Sequence, residues 1–248
     1  MGENLIEGNY FIMEQRDVME KHTRKNQKRI RPDGSPQNIE NAKLITILAL
    51  AKLAEYRDDE TGLHLERIRG YTKVIAEELA KTPKYAGYIS SEYIEDIYQS
   101  SILHDIGKVG IPDAVLLKPG KLTTDEFEKI KKHADLGGNV LTDIEDQING
   151  QTFLTLGKEI AYYHHEKWNG KGYPKGLKGE EIPLSARIVA LPDVYDALTS
   201  KRIYKKPVPH KKAKEMIVNE KGRSFDADVV DAFLTCEDTF TQIERFCV

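Results

Sequence analysis

The sequence predicts an all-α fold, and three observations support this prediction. From residue 39 onward, apolar residues recur at the spacing of buried or amphipathic helices. Capping residues stand before two of these segments, in LTTDEF and SFDAD. The stretches between helices, such as GKVGIPDAVLLKPGKL and NGKGYPKGLKGEEIP, are rich in Gly and Pro, and no clear strand alternation is visible. A helical bundle joined by Gly/Pro-rich loops is therefore expected.

The helices are predicted in chain order from this periodicity. The first helix is predicted over 41–56, where NAKLITILALAKLAEY has the apolar spacing of a buried helix. Its apolar positions are explained equally by packing on its own domain and by pairing in a homodimer. In the next helix, within LHLERIRGYTKVIAEELAK, the inward stripe comprises Leu65, Ile68, Thr72, Ile75 and Leu79. Further helices are predicted over 91–106, 124–142, 156–166, 184–200, 209–220 and 226–241.

Residues 1–40 are predicted to be an N-terminal arm or linker, and residues 41–248 to form one domain. The arm contains KHTRKNQKRIRPDGSP, which is basic and then turn-forming. A solvated connector explains this composition better than a nucleic-acid contact.

The composition excludes several classes of function. The formal net charge of −3 does not favour binding to a nucleic-acid polymer or to an anionic membrane. The longest apolar run, LITILALA, is far shorter than a membrane span, and the N-terminus does not resemble a signal peptide. The two cysteines do not form a ligand-like pair and fit a reducing compartment. We expect a cytoplasmic protein that binds no membrane.

Imidazole and charged side chains follow one of the apolar segments. In SILHDIGKVGIPDAVL, Lys108 stands about one helical turn after His104 and Asp105. Burying an unpaired charge costs several kcal/mol, so Asp105 requires a partner. The other candidates, taken singly, are more simply explained as hydrogen-bonded core or surface residues, but together they indicate a metal site. These candidates are Glu60, His64, His133, His164, His165 and Asp193.

Imidazole and carboxylate ligands without thiolates suit octahedral first-row metal ions such as iron, with manganese as the alternative. A carboxylate such as Asp105 can bridge two ions, and paired ions can activate water for hydrolysis of a phosphate ester. Lys108 could then stabilise charge on a phosphate oxygen, whereas the simpler alternative is an ion pair with Asp105 alone. The sequence thus predicts a hydrolase of phosphate esters.

Three motifs resemble the HD-GYP family of metal-dependent phosphodiesterases: HDIGK at 104–108, HHEKWNGKGYP at 164–174 and RIVALPDVYDALTSKRIYK at 187–205. The resemblance extends over about residues 41–240. It implies an HD-type helical bundle around a buried centre of two or three divalent ions, and hydrolysis of the bacterial second messenger cyclic di-GMP. Members of that family usually carry a sensory or receiver domain, so a regulatory domain or protein is an expected partner.

The resemblance also implies roles for individual residues. The metal ligands would be His104, Asp105, His133, His164, His165 and Asp193, with Asp105 as the bridge, and Glu60 and His64 would hold a third ion. Asp105 and Lys108 would be catalytic. Lys108, Arg202 and Lys205 would contact the substrate, although Arg202 and Lys205 are also explained as a solvated basic helix end. Gly172, Tyr173 and Pro174 would form the rim of the site, where Tyr173 and Pro174 would bind the substrate, and this role is compatible with a plain tight turn.

Three positions qualify this resemblance. Asn169 stands where the family usually has Asp and should keep the turn. Pro192 precedes Asp193 and could kink the helix that carries this ligand. Glu166 could act as a general acid. Alternatively, it could make a structural hydrogen bond, or a hydrogen bond to a histidine that binds the metal.

The leading hypothesis is hydrolysis of cyclic di-GMP to linear pGpG and GMP. Another cyclic dinucleotide as substrate is the first alternative, because these residues do not reveal base specificity. A catalytically quiet nucleotide receptor or interaction module is the second alternative, and the complete set of ligands argues against it.

Overall fold

The computed structural model describes residues 36–56, 63–147, 153–200 and 206–246. In these residues the regular structure is helical, apart from the isolated bridges Asn169–Lys178 and Lys221–Phe225, so the all-α prediction is confirmed. The chain divides into two compact units, Met1–Ile47 and Leu48–Val248, and the second unit contains the site described below. The predicted division into residues 1–40 and 41–248 stays a prediction.

The α-helices of the described residues follow the predicted order with one addition, the short helix Asp113–Leu116, which lies in the stretch GKVGIPDAVLLKPGKL that was predicted as a Gly/Pro-rich loop. They are α1 (Pro36–Glu55), α2 (His64–Ala80), α3 (Ser91–Ser100), α4 (Asp113–Leu116), α5 (Thr124–Glu145), α6 (Phe153–Tyr163), α7 (Leu184–Thr199), α8 (His210–Asn219), α9 (Ala227–Thr235) and α10 (Glu237–Phe246). Short 3-10 turns cover Ser101–Leu103, Ile106–Gly110 and Gly179–Glu181. Within the described ranges, no helix combines the length and apolar content needed to cross a lipid bilayer.

Helix α2 is the centre of the hydrophobic core. Its predicted stripe is buried along its whole length, from Leu65 through Ile68, Thr72 and Ile75 to Leu79. The helix packs against α3, α7, α9 and α10. Burial of each large aliphatic side chain contributes about 1.5–3 kcal/mol. This packing holds α3 and α7 in place, and both helices lead into the site.

Two predicted capping residues begin their helices as expected. At α5, the Thr123 hydroxyl accepts from the Glu126 amide at 3.3 Å, and the Glu126 carboxylate accepts from the Thr123 amide at 2.7 Å. This reciprocal pair is a capping box. At α9, the Asp226 carboxylate accepts from the Asp228 amide at 2.9 Å. The cap of α5 also fixes the start of the helix that carries His133.

The helix predicted over 91–106 ends earlier than expected. Helix α3 stops at Ser100, and the chain continues as two 3-10 turns, so Asp105 and Lys108 do not lie on a continuous α-helix. Close packing accounts for the second of these turns. A Cβ atom added at Gly107 would lie 2.0 Å from the carbonyl oxygen of His133, so this backbone passes directly against α5.

Two further predicted helices end differently in the structure. The segment 226–241 forms two helices, α9 and α10, which are separated at the buried Cys236. The helix predicted over 156–166 ends at Tyr163, so His164 and His165 follow α6 instead of lying on it. Neighbouring residues on a helix do not face the same side, so leaving the helix allows two consecutive imidazoles to enter one site.

Candidate metal centre

Two groups of potential metal ligands occur in the described residues. The first group comprises Asp105, His133, His164 and His165, and the second comprises His64, His104 and Asp193. Within each group, one ligand atom per residue lies within 4.8 Å of the others. The structure thus brings together every predicted ligand that it describes, and Glu60 lies outside the described residues.

The Asp105 carboxylate faces both groups. Its Oδ1 atom is 3.2 Å from Nε2 of His133 and 3.7 Å from Nε2 of His164. Its Oδ2 atom is 3.3 Å from Nε2 of His104. One carboxylate therefore presents an oxygen to each group, which is the arrangement that a bridging ligand requires.

The second group is assembled from three elements. His64 begins α2, His104 lies between the two 3-10 turns, and Asp193 lies on α7. The Nε2 atoms of His64 and His104 are 3.4 Å apart, and Nε2 of His104 is 4.0 Å from Oδ1 of Asp193. Pro192 lies inside α7, which continues to Thr199, so the proline does not remove Asp193 from the group.

Backbone carbonyl groups fix the orientation of three of these imidazoles. Nδ1 of His104, His133 and His164 contacts the carbonyl oxygens of Ser101, Ile130 and Ile160, at 2.9, 2.7 and 2.9 Å respectively. Because a carbonyl oxygen only accepts, Nδ1 carries the proton of each neutral ring and Nε2 carries the lone pair. These lone pairs face the Asp105 carboxylate, and a cation between them would be stabilised.

Three buried acceptor atoms of the first group have no hydrogen-bond partner among the described residues. They are Oδ1 of Asp105 and the Nε2 atoms of His133 and His164. An unsatisfied buried polar atom costs about 1–3 kcal/mol. Nitrogen and oxygen donors that converge from several elements fit a divalent first-row metal ion. The residues present therefore fit the metal centre that the sequence predicts.

The protonation states of the first group also suit metal binding. Burial would raise the pKa of Asp105, but the charges of Lys108 and His104 lower it well below its usual value. Burial lowers the pKa of His133 to about 4 and holds the pKa of His165 well below its usual value. An ionised carboxylate and neutral imidazoles are the forms that bind metal ions.

His104 differs from these two histidines. Burial disfavours its charged form, yet the neighbouring Asp105 and, more weakly, Asp193 raise its pKa to about 9. The two carboxylates therefore favour a positive charge next to the His104 ring. A bound metal ion would supply that charge.

Asp196 orients His64, although the sequence motifs did not predict a role for it. Its Oδ2 atom lies 2.7 Å from Nδ1 of His64, and Arg67 donates from Nε to Oδ1 at 2.5 Å and from Nη2 to Oδ2 at 3.0 Å. Burial would raise the pKa of Asp196, but the hydrogen bonds from His64 and Arg67 lower it to about 2. A carboxylate on Nδ1 leaves Nε2 for a metal ion. The available signal was a second Asp one helical turn after Asp193 in PDVYDAL.

Lys108 pairs with the bridging candidate Asp105. Its Nζ atom is 2.8 Å from Oδ2 of Asp105, and the two side chains are only 14 % and 18 % exposed. The predicted ion pair is therefore present, and a contact with substrate stays a prediction.

The sequence model of the HD domain family matches residues 45–229, a range that includes every member of both ligand groups. The chain belongs to the HD domain family. The resemblance to HD-GYP phosphodiesterases is thereby confirmed at the level of the family.

Relatives of this HD domain are named as phosphodiesterases. A cyclic di-GMP phosphodiesterase of Vibrio cholerae serotype O1 is 49 % identical over 85 % of this chain and 43 % of its own length. A protein of the same organism named 3′3′-cGAMP-specific phosphodiesterase 2 is 40 % identical over 78 % of this chain and 35 % of its own length. The chain thus spans half or less of the length of these relatives.

Among solved structures, a cyclic GMP-AMP-specific phosphodiesterase of V. cholerae resembles this HD domain in fold. The TM-score is 0.50 at 17 % identity, and the alignment covers 79 % of this chain and 50 % of the other. At this identity the likeness supports the fold alone.

The GYP loop of this HD domain lies against the first ligand group. The ring centroids of Tyr173 and His165 are 4.7 Å apart, and the Tyr173 amide donates to the His165 carbonyl at 3.3 Å. A Cβ atom at Gly172 would lie 2.4 Å from Cα of Glu166, so only glycine permits this close approach. Pro174 follows through a cis peptide bond. The loop thus makes a tight turn beside His165, and its role at the rim of the site stays a prediction.

Glu166 and Asn169 stabilise the same loop. The buried Glu166 carboxylate accepts from the amides of Lys175 and Gly176 at 2.7 and 3.0 Å. Among the interpretations of Glu166, these contacts favour the structural one. Asn169 accepts from the Lys171 amide at 3.0 Å, so the turn persists without the usual Asp.

Arg202 and Lys205 lie outside the described residues, as Glu60 does. Their roles in substrate and metal binding stay predictions.

Proposed function

We propose that this HD domain is a metal-dependent phosphodiesterase that hydrolyses cyclic di-GMP to linear pGpG and then to GMP. The observation that carries the proposal is the Asp105 carboxylate, which faces both ligand groups and whose Oδ1 atom, like the Nε2 atoms of His133 and His164, has no hydrogen-bond partner among the described residues. The relative named cyclic di-GMP phosphodiesterase supports this choice of substrate.

The proposed ligand sets subdivide the two groups, because the second group would serve two ions. His133, His164 and His165 would hold one ion, His104 and Asp193 a second, and His64 with Glu60 a third, with Asp105 as the bridge between the first two. Iron is the proposed metal and manganese the alternative, because nitrogen and oxygen donors suit both. When bound, the ions would polarise the phosphate as Lewis acids and lower the pKa of the attacking water.

The remaining residues would position the substrate and stabilise its charge. Lys108 places an ammonium 2.8 Å from the Asp105 carboxylate, so it can donate to a phosphate oxygen that lies at the centre. Tyr173 and Pro174 would bound the site next to His165. Arg202 and Lys205 would contact the phosphate groups of the substrate.

Product analysis with purified, metal-loaded protein tests this proposal. Iron-loaded and manganese-loaded protein is incubated with cyclic di-GMP, and the nucleotides are separated by ion-exchange chromatography over time. We expect pGpG to appear first and GMP later. Glu60→Ala should lose one metal ion per chain and stop at pGpG, because a third cation would hold the new terminal phosphate. Binding of cyclic di-GMP without any linear product would favour the receptor alternative instead.

A mixed cyclic dinucleotide is the second candidate substrate. The relative named 3′3′-cGAMP-specific phosphodiesterase 2, which is 40 % identical to this chain, favours it. Both substrates offer a phosphodiester to the metal centre and differ in one base, so discrimination must come from contacts to the bases. The ratio of kcat/KM for the two substrates in a competition assay decides between them.

The protein would act in the cytoplasm, under a regulatory domain or protein, and as a homodimer if α1 pairs across a two-fold axis. Neither a nucleic-acid polymer nor a membrane is an expected partner.

A further inference from the structure

A cavity of about 380 Å³ opens beside the first ligand group. Its walls come from the segment after α6, from α7 and α8, and from the turn before α9. His164 and His165 line it directly, so the cavity begins next to two of the proposed metal ligands. Its volume lies within the range of small-molecule sites, about 300–1,000 Å³. A group attached to a phosphate at the metal centre could extend into it.

One side of this cavity is apolar. Val194 and Leu198 line it from one face of α7, and Met216 and Phe225 line it from α8 and the following turn. Asp193 directly precedes Val194, so α7 contributes a proposed metal ligand on one face and part of the cavity wall on an adjacent face. A flat aromatic ring could pack against this apolar face.

A carboxylate of fixed orientation also lines the cavity. Ser224 donates from Oγ to Oε2 of Glu220 at 2.6 Å. The Glu220 carbonyl accepts from the amides of Ser224 and Phe225 at 3.0 and 3.2 Å, which closes the turn between them. Glu220 is half-buried, and the exposed Lys167 adds an ammonium to the lining. The cavity therefore combines an apolar face with a carboxylate acceptor and a cationic donor.

We propose that this cavity binds a guanine base of the substrate and that Glu220 determines the base specificity. Guanine presents two adjacent donors, N1–H and the 2-amino group, which a carboxylate can accept, and its O6 acceptor suits the Lys167 ammonium. Adenine has an acceptor at N1 and no 2-amino group, so it would leave Glu220 without these donors. The inference rests on the proposed function, because it requires a phosphodiester at the adjacent centre.

Glu220→Gln in the full, metal-loaded chain tests this inference. Glutamine keeps an oxygen that can accept from Ser224, but it replaces the other acceptor with a donor, so the turn should persist while guanine loses a partner. The matched control is Glu215→Gln, which makes the same change of charge at an exposed position of α8. The readouts are kcat/KM for cyclic di-GMP and cyclic di-AMP, equilibrium binding of GMP and AMP, metal content and melting temperature.

We expect Glu220→Gln to lower the ratio of kcat/KM for cyclic di-GMP to that for cyclic di-AMP by about 10- to 100-fold. GMP should bind more weakly by a similar factor, whereas AMP binding, metal content and melting temperature should match the Glu215→Gln control. If Glu220→Gln does not fold, Ser224→Ala replaces it, because this change removes only the hydroxyl that orients the carboxylate. A smaller shift of the same ratio is then expected.

The outcomes separate this inference from the proposed function. An unchanged base ratio and unchanged GMP affinity, in a variant that still hydrolyses cyclic di-GMP, would overturn the guanine site and leave the phosphodiesterase intact. Wild-type protein that turns over no cyclic dinucleotide, yet prefers GMP to AMP through Glu220, would overturn the phosphodiesterase and leave the guanine site.

Discussion

At the scale of single residues, the site depends on ligands that are each oriented by a second contact. Carbonyl oxygens hold three of the imidazoles, and Asp196 holds His64. The motifs predicted the ligands, because imidazoles and carboxylates recur there in a recognisable order. They did not predict Asp196, because its partners His64 and Arg67 lie 132 and 129 positions away and local spacing carries no such information.

Asp196→Asn should weaken the second ligand group without removing a ligand. The amide keeps the shape of the side chain but loses the charge that orients His64 and pairs with the buried Arg67. We expect the affinity for one metal ion to fall by about 10- to 100-fold. The free energy of unfolding should fall by about 3 kcal/mol, because a buried ion pair is broken. Metal titration and urea denaturation measure the two effects.

The control is Asp231→Asn, which breaks an exposed ion pair with Lys221 and should change neither quantity appreciably. If Asp196→Asn is less stable but binds metal as tightly as the wild type, Asp196 has only a structural role.

At the scale of elements, backbone packing decides where the ligand segment leaves its helix. Apolar periodicity predicted the order of the helices, and the inward stripe of α2 is buried as expected. It did not predict the 3-10 turn Ile106–Gly110 after α3, because this turn depends on the close approach of Gly107 to α5. The break at Cys236 was not predicted, because the helical pattern of the sequence continues through it.

Gly107→Ala should displace the turn that carries Asp105 and Lys108. The new Cβ atom would meet the His133 carbonyl at 2.0 Å and the Gly137 amide nitrogen at 2.5 Å, and both are backbone atoms that cannot move away easily. We expect a loss of about 1–3 kcal/mol or more in stability and a lower metal content, because Asp105 moves with the turn.

Thermal melts and metal analysis of Gly107→Ala are compared with those of Gly87→Ala, where the added Cβ would meet nothing within 4 Å. The Gly87 variant should retain both properties. Wild-type stability and metal content in the Gly107 variant would show that the contact with α5 does not position the site.

At the scale of the whole molecule, the proposed centre joins parts of the chain that are distant in sequence. Its ligands come from α2, the 3-10 region, α5, the segment after α6, and α7. The three motifs predicted the family because they are long and occur in a recognisable order along the chain. The motifs do not predict base specificity, because the cavity that we propose as the base site forms only where α7, α8 and the turn before α9 pack together.

Removal of metal should therefore destabilise the folded domain. A metal ion that binds the folded state more tightly than the unfolded chain stabilises it by mass action. We expect chelation to lower the Tm by about 2–4 °C for each kcal/mol of binding free energy lost. Asp105→Asn protein, which lacks the bridging charge, should show a smaller shift under the same treatment. Equal shifts in differential scanning calorimetry would indicate that the stabilising ions bind elsewhere.

The bridging role of Asp105 is tested most directly by anomalous X-ray scattering. Crystals of anaerobically and aerobically purified protein are measured on both sides of the iron and manganese absorption edges. We expect at least two anomalous peaks, one at each ligand group, with the Asp105 carboxylate between them and iron as the scatterer. A single peak away from both groups, or no peak in metal-supplemented protein, would contradict the proposed centre.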